Sequence, residues 1–543
     1  MPDVVQVFYF NLLNSEEIFM AKRITLIKQA ILKDNGIPIP GSKEEKKQFK
    51  KTQKTFARQF EKAFPDKLAE KTIVIIPSLT MDQEILSKVK GFTYYEERLL
   101  CLLLLLRMPR THVVYVSSMP IDPIIIDYYL HLLPGITGYH AKKRLHIFNC
   151  HDTSLKSLTE KIIERPRLVE RINQAIPDKS LAHMACFNVT DKERTLAVQL
   201  GIPIFGCDPD FVDLGNKSNS RKIFKECGLQ PPAGFEDLYS EKEIIKALVK
   251  LKQQNPSLKK AVVKLNDGFS GDGNAVFKYE NIKVNDEIEE NIKLNFFTKM
   301  KTVAPDITLD MFFQKFKNMG GIVEEFVEGR VKRSPSVQCR INPDAFCEIT
   351  STHDQELGGE NGQVFLGAHF PANIEYAPAL GKMGKKIAIA LRDKGALGKF
   401  AVDFISIKLK SRWKHYPIEI NLRKGGTTHP FLMLQFLTDG EYNAEKGIYY
   451  TANGQSRYYF SSDNLRSEQF HGLTPSDLID IAMLHELHYD GALQEGVMFH
   501  LIGALSQFGK LGVVCIGSTP EKAIEFYQKA LSVLNLETVH HYT

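Results

Sequence analysis

The sequence has few of the features that mark membrane, secreted or nucleic-acid-binding proteins. Its longest apolar run, Leu99 to Leu106, is far too short to cross a bilayer and predicts a buried helix instead. The N-terminus lacks the succession of basic, apolar and small residues of a signal peptide, so a cytoplasmic location is expected. The net charge is only +6 over 543 residues, which argues against a surface built for nucleic acid.

The sequence also lacks the common short signatures of cysteine-based and nucleotide-binding sites. Its eight cysteines form neither a CxxC pair nor the Cys/His spacing of a zinc site, which favours free thiols in a reducing compartment. No GxGxxG opens a helix, and no GK[ST] follows a glycine-rich loop. Neither a dinucleotide site nor a Walker loop is therefore predicted.

Chain length predicts two to four domains, and changes in pattern indicate where they lie. Residues 1–71 are helical in pattern, polar and basic, which is most often the sign of a solvated helix face. From 72 to 212, short apolar runs such as TIVIIPSL and THVVYVSS alternate with amphipathic helices, which predicts a doubly wound parallel α/β sheet. Residues 436–543 hold further helices and a strand-like run, and GVMFHLIGALSQFGKLG predicts an apolar helix that contains His500 as a core histidine.

The rest of the chain is organised around the stretch from Gly398 to Pro430. Two apolar runs, Lys399 to Ile407 and Tyr416 to Arg423, flank a polar connection, which predicts a β-hairpin. If the strands pair symmetrically about Ser411, two carboxylates, Asp403 and Glu419, face each other on one side of the hairpin.

The second run has a two-residue period that separates an apolar face from a polar one. The predicted apolar face holds Tyr416, Ile418, Ile420 and Leu422, and the polar face holds Glu419, Asn421 and Arg423. Asp403, Glu419 and Asn421 would then form an oxygen-rich cluster of the kind that binds Mg²⁺. The alternatives are solvated strand positions, or carboxylates paired with nearby lysines.

A second candidate element is the segment VVKLNDGFSGDGNAVF, which predicts a strand, a glycine-rich loop and another strand. Lys264 alternates with core residues of the first strand and so points away from the core. Glycines in such a loop allow backbone N–H groups to approach phosphate oxygens, although an ordinary turn has the same composition. Farther along, the polar segment 351–363 predicts either a mobile lid or a plain surface loop.

These pieces occur in an order that resembles the ATP-grasp fold, and more closely the pheganomycin-type peptide ligases. The likeness begins with two lysines, Lys217 at a helix start and Lys264 on the strand before the glycine loop. It continues with the segment EEFVEG and with Asp403 followed by Glu-x-Asn-x-Arg. Further segments that carry it are YYEERLL, VVYVSSMPIDPIIIDYYL, AKKRLHIFNCHD, SPSVQCRI, STHDQELGG, EINLRKGGTTHPF and GVMFHLIGALSQFGKLGVVCIG.

The resemblance covers roughly residues 72–540 and implies an α/β multidomain fold. It implies a doubly wound α/β pre-ATP-grasp domain at 72–212, an α+β ATP-grasp core of two subdomains at 213–435, and a mixed C-terminal region at 436–543. Residues 1–71 lie outside it as an N-terminal helical basic extension.

The same resemblance implies a role for individual residues in binding ATP and two Mg²⁺ ions. It places Lys217 and Lys264 on the nucleotide phosphates, under a loop that contains Gly268, Ser270, Gly271 and Gly273. It places Glu324 at the adenine amino group, with Glu325, Phe326 and Val327 as the hinge. Arg330 and Val331 stand where many ATP-grasp enzymes have a ribose-binding glutamate, so Glu328 is the candidate for the ribose. Asp403, Glu419 and Asn421 match the metal ligands, and Arg423 the residue at the transferred phosphoryl group.

The implied reaction is ATP-dependent amide formation between a carboxylate and an amine through an acylphosphate. Four residues are expected to border the substrate pockets: Arg340, His353, Asp354 and His429. Two rivals stay open, an ATP-grasp phosphotransferase and a nucleotide-binding regulatory protein without turnover. The sequence leaves open whether the acceptor is an amino acid, a peptide or a protein, and it leaves open the oligomeric state.

Overall fold

The computed structural model describes residues 36–81, 86–87, 89–268, 273–304, 306–358 and 364–539. Ser270 and Gly271 of the predicted phosphate loop lie outside the described residues, as do residues 1–35 and part of the predicted lid, 359–363. No helix within the described ranges is long and apolar enough to span a membrane.

The first sheet is parallel and has four strands in the order β3-β2-β1-β4. Its strands are β1 Lys71–Ile76, β2 Thr111–Ser117, β3 Leu145–Asn149 and β4 Ala182–Cys186. Alternate residues of β1 enter different cores, Ile73 and Ile75 on one face and Val74 and Ile76 on the other. Both faces are therefore covered, as expected for a doubly wound sheet.

Among the described residues, seven helices and two 3₁₀ turns surround this sheet or connect its strands. The helices are Lys43–Ala63, Phe92–Arg107, Pro123–His131, Gly138–Lys142, Leu158–Ile163, Pro166–Gln174 and Asp191–Leu200, and the turns are Lys179–Leu181 and Pro209–Gly215. Helix Phe92–Arg107 has 3₁₀ hydrogen bonding and contains the apolar run predicted to be a buried helix; of that run only Leu105 is partly exposed.

Helix Lys43–Ala63 lies against the parallel sheet although its sequence is strongly basic. The side-chain amide of Gln53 forms two hydrogen bonds with the backbone of Ile204, at 2.7 and 3.1 Å. Phe56 is fully buried and packs against His183 and Phe205. Part of the segment predicted as an extension is therefore anchored to the first layer through one face, and its lysines occupy the other.

The second sheet is antiparallel, with five strands in the order β5-β9-β6-β7-β8. Its strands are β5 Gly234–Leu238, β6 Lys260–Leu265, β7 Asn274–Lys278, β8 Met300–Thr302 and β9 Gly321–Glu325. Helices Glu241–Gln254, Ile288–Lys299 and Leu309–Met319 cover one face and form a core with it. The other face is left for the cavity described below.

The third sheet has eight strands in the order β14-β13-β10-β11-β12-β17-β19-β18. In chain order the strands are β10 Lys332–Ile341, β11 Cys347–Gly358, β12 Val364–Phe370, β13 Gly398–Leu409, β14 Arg412–Asn421, then a separate pair β15 Glu441–Asn443 and β16 Ile448–Tyr450, then β17 Tyr458–Arg466, β18 Gly496–His500 and β19 Lys510–Gly517. Its last three strands come from residues 436–543. The C-terminal region therefore completes the sheet that carries the hairpin.

The remaining helices and turns pack on this sheet or join its strands. They are Lys217–Glu226, Ala377–Asp393, Thr428–Thr438, Pro475–Leu484, Leu505–Phe508 and Pro520–Val539, with 3₁₀ turns at Glu468–Phe470 and Ile502–Ala504.

The prediction that His500 lies in a helix is wrong, because this residue ends strand β18. A short apolar run such as GVMFH is compatible with a buried strand as well as with a buried helix, and its pairing partner decides between them. Here β18 pairs with β19, and His500 lies opposite Gly512. Its imidazole is buried as predicted.

Candidate active site

The hairpin of β13 and β14 has the predicted register, with Asp403 opposite Glu419. The side-chain amide of Asn421 donates to one oxygen of Asp403 at 3.0 Å, and that of Gln355 donates to the other at 2.9 Å. Asp403, Glu419 and Asn421 all line one cavity. We refer to these three residues as the carboxylate cluster.

A β-bulge changes which apolar side chains share the face of the carboxylate cluster. Phe404 pairs with Pro417, so Ile418 is the additional residue in β14. Tyr416 then packs with Val327 and Ile407, and Ile418 lines the cavity beside the carboxylates. The assignment of Tyr416 and Ile418 to the opposite face is therefore wrong, since a bulge shifts the two-residue period.

Two lysines reach the cavity from different elements, as the resemblance implied. Lys217 is the first residue of helix Lys217–Glu226, and its Nζ lies 3.1 Å from Glu419 Oε1. Lys264 is on β6, and its Nζ lies 2.6 Å from Glu324 Oε1. Each lysine therefore forms an ion pair with a carboxylate at the cavity wall.

Glu324 is engaged by two basic side chains. Its second carboxylate oxygen lies 2.8 Å from the guanidinium of Arg221, and both residues are buried. Both oxygens of the Glu324 carboxylate are thus paired, one with Lys264 and the other with Arg221. A contact with adenine at this position would therefore have to come from the main chain. The adenine role of Glu324 stays a prediction.

The cavity has a volume of about 760 Å³ and lies between the second and third sheets. One end is apolar and is lined by Val262, Val327, Ile405 and Ile418, next to the hinge residues Glu325 and Phe326. Gly268 and Gly273 line it where the glycine loop begins and ends. A Cβ built on Gly268 would lie 3.1 Å from Cα of Gly273, so the two ends of this loop nearly touch. Glu328 is exposed and does not line the cavity.

The carboxylate cluster and its neighbours have altered proton affinities. Loss of surrounding water, with the nearby charge of Glu419, raises the pKa of Asp403 to about 6. Loss of water also acts to raise the pKa of Glu419, but the charges of Lys217, Lys264 and Arg423 together outweigh it, and the net shift is downward. Arg423 lines the cavity, and desolvation lowers its pKa despite the nearby Glu419 and Asp403.

The donor set fits the metal and nucleotide that the resemblance implied. Two carboxylates and an amide on adjacent strands supply hard oxygen ligands, which suit Mg²⁺. The carboxylates lie beside two lysines that suit phosphate oxygens. An apolar slot lies at one end of the same cavity, as a base requires.

The four residues predicted to border the substrate pockets do not line the cavity. Arg340 pairs with Glu348, while His353 is fully buried and lies 2.7 Å from the hydroxyl of Tyr459. Asp354 accepts hydrogen bonds from the hydroxyl of Tyr376 and from the backbone N–H of Asn373. These three residues belong to the scaffold of the third sheet.

His429, the fourth, lies one layer behind the cavity wall. Its Nε2 is 3.1 Å from an oxygen of Asp463, which does line the cavity.

Sequence reasoning missed a basic end of the cavity. Arg98 extends from the buried helix Phe92–Arg107, and its guanidinium lies 2.5 Å from Asp463 and 4.2 Å from the ring centre of Tyr95. Arg466 and Lys510 line the same end. In the sequence, Arg98 stands directly before the apolar run Leu99 to Leu106, and a charged side chain beside a buried run needs a partner.

Comparisons with known proteins give matches over most of the chain. Residues 212–304 match the family model described as IQCH-like, ATP-grasp, and residues 477–530 match the PGM1 C-terminal domain. The chain is 26% identical over 472 residues to the L-propargylglycine–L-glutamate ligase of Streptantibioticus cattleyicolor, covering 85% of this chain and 94% of the relative. It is 20% identical over 521 residues to the IQ motif-containing protein H of Danio rerio, covering 86% of this chain and 49% of that one. The chain thus spans about half the length of this second relative.

Among solved structures, a biotin carboxylase from Campylobacter jejuni in complex with β,γ-ATP is similar with a TM-score of 0.50. The two share 12% identity, and the match covers 86% of this chain and 95% of that one.

The chain has the ATP-grasp fold, which confirms the fold implied by its sequence. Its likeness to a named ligase over most of both chains supports an ATP-dependent carbon–nitrogen ligase.

Proposed function

We propose that this protein joins a carboxylate to an amine by ATP-dependent amide formation, with an acylphosphate intermediate and release of ADP and phosphate. The observation that carries the proposal is the convergence, in one cavity, of the carboxylate cluster with Lys217 and Lys264. The named ligase relative supports the same class of reaction.

The apolar end of the cavity is the proposed adenine site. Val262, Val327, Ile405 and Ile418 form walls suited to a flat ring, and the hinge from Glu325 to Val327 follows the end of β9. The backbone N–H groups of Glu325 and Phe326 already donate to Ala233 and Lys260. Other main-chain groups of the hinge are therefore the proposed partners of adenine. Glu328, although exposed, is the proposed ribose contact.

Lys217, Lys264 and the glycine loop form the proposed phosphate site. Lys217 is fixed at its helix start because its backbone N–H donates to the carbonyl of Asn266, at 3.1 Å, just after β6. The helix that carries Lys217 is therefore hydrogen-bonded to the end of β6, the strand that carries Lys264 and precedes the glycine loop. The loop residues between Gly268 and Gly273 are proposed to cover the phosphates.

The carboxylate cluster would hold Mg²⁺, and we propose two ions. When bound, Mg²⁺ would supply positive charge that offsets the negative charge of the phosphates during phosphoryl transfer. Asp403 must be ionised for this role, whereas Lys217 keeps Glu419 ionised at lower pH.

The reaction then needs positioning, charge stabilisation and exclusion of water. A carboxylate oxygen of the substrate attacks the γ-phosphorus of ATP, and ADP leaves. The amine nitrogen attacks the acyl carbon, phosphate leaves, and the amine proton passes to solvent. Arg423 is positioned beside the carboxylate cluster to stabilise negative charge on the transferred group. The glycine loop between Gly268 and Gly273 is proposed as the cover that protects the acylphosphate from water. The prediction that 351–363 forms a lid or a surface loop is wrong for residues 351–358, because they belong to strand β11 and pair with strands on both sides.

The basic end of the cavity is the proposed site for substrate carboxylates. Arg98, Arg466 and Lys510 line it, and a guanidinium can hold a carboxylate through two parallel hydrogen bonds. The named relative acts on L-glutamate and L-propargylglycine. Amino acids, with L-glutamate first, are therefore the substrates to try, followed by peptides.

A trapping experiment tests the reaction type. The protein is incubated with ATP, Mg²⁺, a candidate carboxylate and hydroxylamine, and hydroxamate and phosphate are measured. A ligase that forms an acylphosphate yields hydroxamate, whereas a phosphotransferase to a hydroxyl group does not. Phosphate release without hydroxamate across a panel of carboxylates, or ATP binding with no turnover under any condition, would contradict the proposal. Asn421→Ala is the negative control.

A further inference from the structure

Three buried side chains lie in mutual contact behind the basic end of the cavity. His429 is the second residue of helix Thr428–Thr438, Asp463 is on β17, and His500 ends β18. Nε2 of His429 and Nε2 of His500 are 2.9 Å apart, and they lie 3.1 and 2.6 Å from the same oxygen of Asp463. We refer to these residues as the histidine cluster.

Hydrogen bonds alone do not satisfy this triangle of atoms. If both Nε2 atoms carry a proton, two donors face each other at 2.9 Å. If one Nε2 is bare, its lone pair faces the carboxylate oxygen at 2.6 or 3.1 Å. Each assignment leaves one of the three contacts repulsive, whereas a cation at the centre would attract all three atoms.

The surroundings fit a metal ligand set. All three residues are buried, and Arg98 binds the second oxygen of Asp463 at 2.5 Å, which leaves the first oxygen directed at the two imidazoles. A neighbouring hydrogen bond of this kind commonly orients a metal-binding carboxylate. Neither Nδ1 atom has a hydrogen-bond partner within the described residues. Because no neighbour donates to Nδ1, each ring can carry its proton on Nδ1 and keep Nε2 free to bind a metal.

We infer that His429, Asp463 and His500 bind a zinc ion, separate from the Mg²⁺ of the carboxylate cluster. Two imidazoles and one carboxylate suit Zn²⁺ and other late first-row divalent ions better than Mg²⁺, which prefers oxygen ligands. Ligand atoms of tetrahedral zinc are roughly 3.3 Å apart, so the three atoms would spread by a few tenths of an ångström. Three protein ligands leave a fourth position for water or a substrate group.

Such a site would connect parts of the chain that are distant in sequence. It would join the helix after the hairpin to two strands of residues 436–543, and through Asp463 it would fix Arg98 at the cavity. Gly512 makes space for one of the ligands, since a Cβ there would lie 2.2 Å from Nε2 of His500. The inference does not depend on the ligase reaction.

Metal analysis of the full chain, purified without a histidine tag, tests this inference. We expect about one zinc per chain by mass spectrometry, retained through dialysis because all three ligands are buried. Asp463→Asn and His500→Gln should each lower the zinc content at least tenfold. Asn421→Ala, in the carboxylate cluster, and His471→Ala, at a partly exposed histidine outside both clusters, should retain it. Another first-row divalent ion at the same stoichiometry, lost in the same variants, also supports the site.

A second measurement covers the possibility that the variants fold poorly. The wild-type protein is stripped with a chelator, then titrated with Co²⁺, and the visible absorption of tetrahedral cobalt is followed together with the melting temperature. Saturation at one Co²⁺ per chain, with a rise in melting temperature, supports the site. Absence of stoichiometric metal both as purified and after Zn²⁺ or Co²⁺ addition would overturn it, as would full metal content in His500→Gln.

Discussion

The carboxylate cluster lines the cavity and the histidine cluster lies behind its wall, but the two are built in opposite ways. The carboxylate cluster comes from a single hairpin, where the pairing of β13 with β14 sets its geometry. The histidine cluster comes from a helix and two strands that only the complete third sheet brings together. A site encoded within one hairpin can be deduced from spacing, whereas a site assembled from distant elements depends on the whole fold.

The largest expected effect is the loss of a ligand from the carboxylate cluster. Asn421→Ala should lower kcat/KM for ATP-dependent phosphate release by roughly 10²–10³-fold, the scale seen when a single charge-stabilising group is removed. Ser411→Ala, in the exposed turn of the same hairpin, should leave the rate unchanged and serves as the matched control. Retention of more than a third of wild-type activity in Asn421→Ala would remove the carboxylate cluster from the mechanism.

The next effect concerns the phosphate site. Lys264→Met should raise the KM for ATP by roughly 10–100-fold, since a hydrogen bond to a charged group contributes about 1.5–3 kcal/mol. Folding should survive, because Arg221 still neutralises Glu324. The control is Lys278→Met on the adjoining strand, whose side chain is 45% exposed. An unchanged KM for ATP in Lys264→Met would show that this lysine belongs to the scaffold.

A smaller effect is expected at the basic end of the cavity, which the histidine cluster supports. Arg98→Ala should raise the KM for the carboxylate substrate by about tenfold, the loss of one charge-assisted contact, with the KM for ATP little changed. A reversed pattern, with only the KM for ATP affected, would move Arg98 to the nucleotide site. Steady-state kinetics with each substrate varied in turn distinguish the two outcomes.

The smallest effect is a pH dependence that should affect the carboxylate cluster alone. The pKa of Asp403 is raised to about 6, so this carboxyl is protonated below that pH and then competes with Mg²⁺. The pKa of Glu419 is lowered, so Glu419 stays ionised over the same range. The affinity for Mg²⁺-ADP should therefore be constant from pH 8 to 7 and fall toward tenfold weaker by pH 5, with a single-proton slope. Calorimetry at each pH would measure it, and a flat profile or tighter binding at low pH would contradict the assignment.

The parts of the site that could be predicted were those fixed by local pairing. The register of Asp403 with Glu419 follows from the symmetry of one hairpin, and Lys264 from alternation along one strand. The orientations of Tyr416 and Ile418 could not be predicted in the same way, because the bulge that shifts them has no signature in composition.

The basic end of the cavity could not be predicted from the sequence for a different reason. Arg98 lies hundreds of residues before Asp463 and Lys510 in the sequence, and it meets them only because the strands from 436–543 extend the sheet of the hairpin. A single sequence contains no information on which distant charge neutralises a buried arginine. For Arg340, His353 and Asp354, the resemblance gave segments near the site, but side-chain direction and partners place these residues in the scaffold.

Three cations of the cavity are paired with carboxylates: Lys217 with Glu419, Lys264 with Glu324, and Arg98 with Asp463. A ligand that binds these three side chains therefore exchanges one ionic partner for another. Inorganic phosphate or sulfate, which brings no cation to satisfy the displaced carboxylates, should be a poor competitor. A polyphosphate that arrives with its own divalent ion brings both an anion for the basic side chains and a cation for the displaced carboxylates. The existing ion pairs therefore select against simple anions.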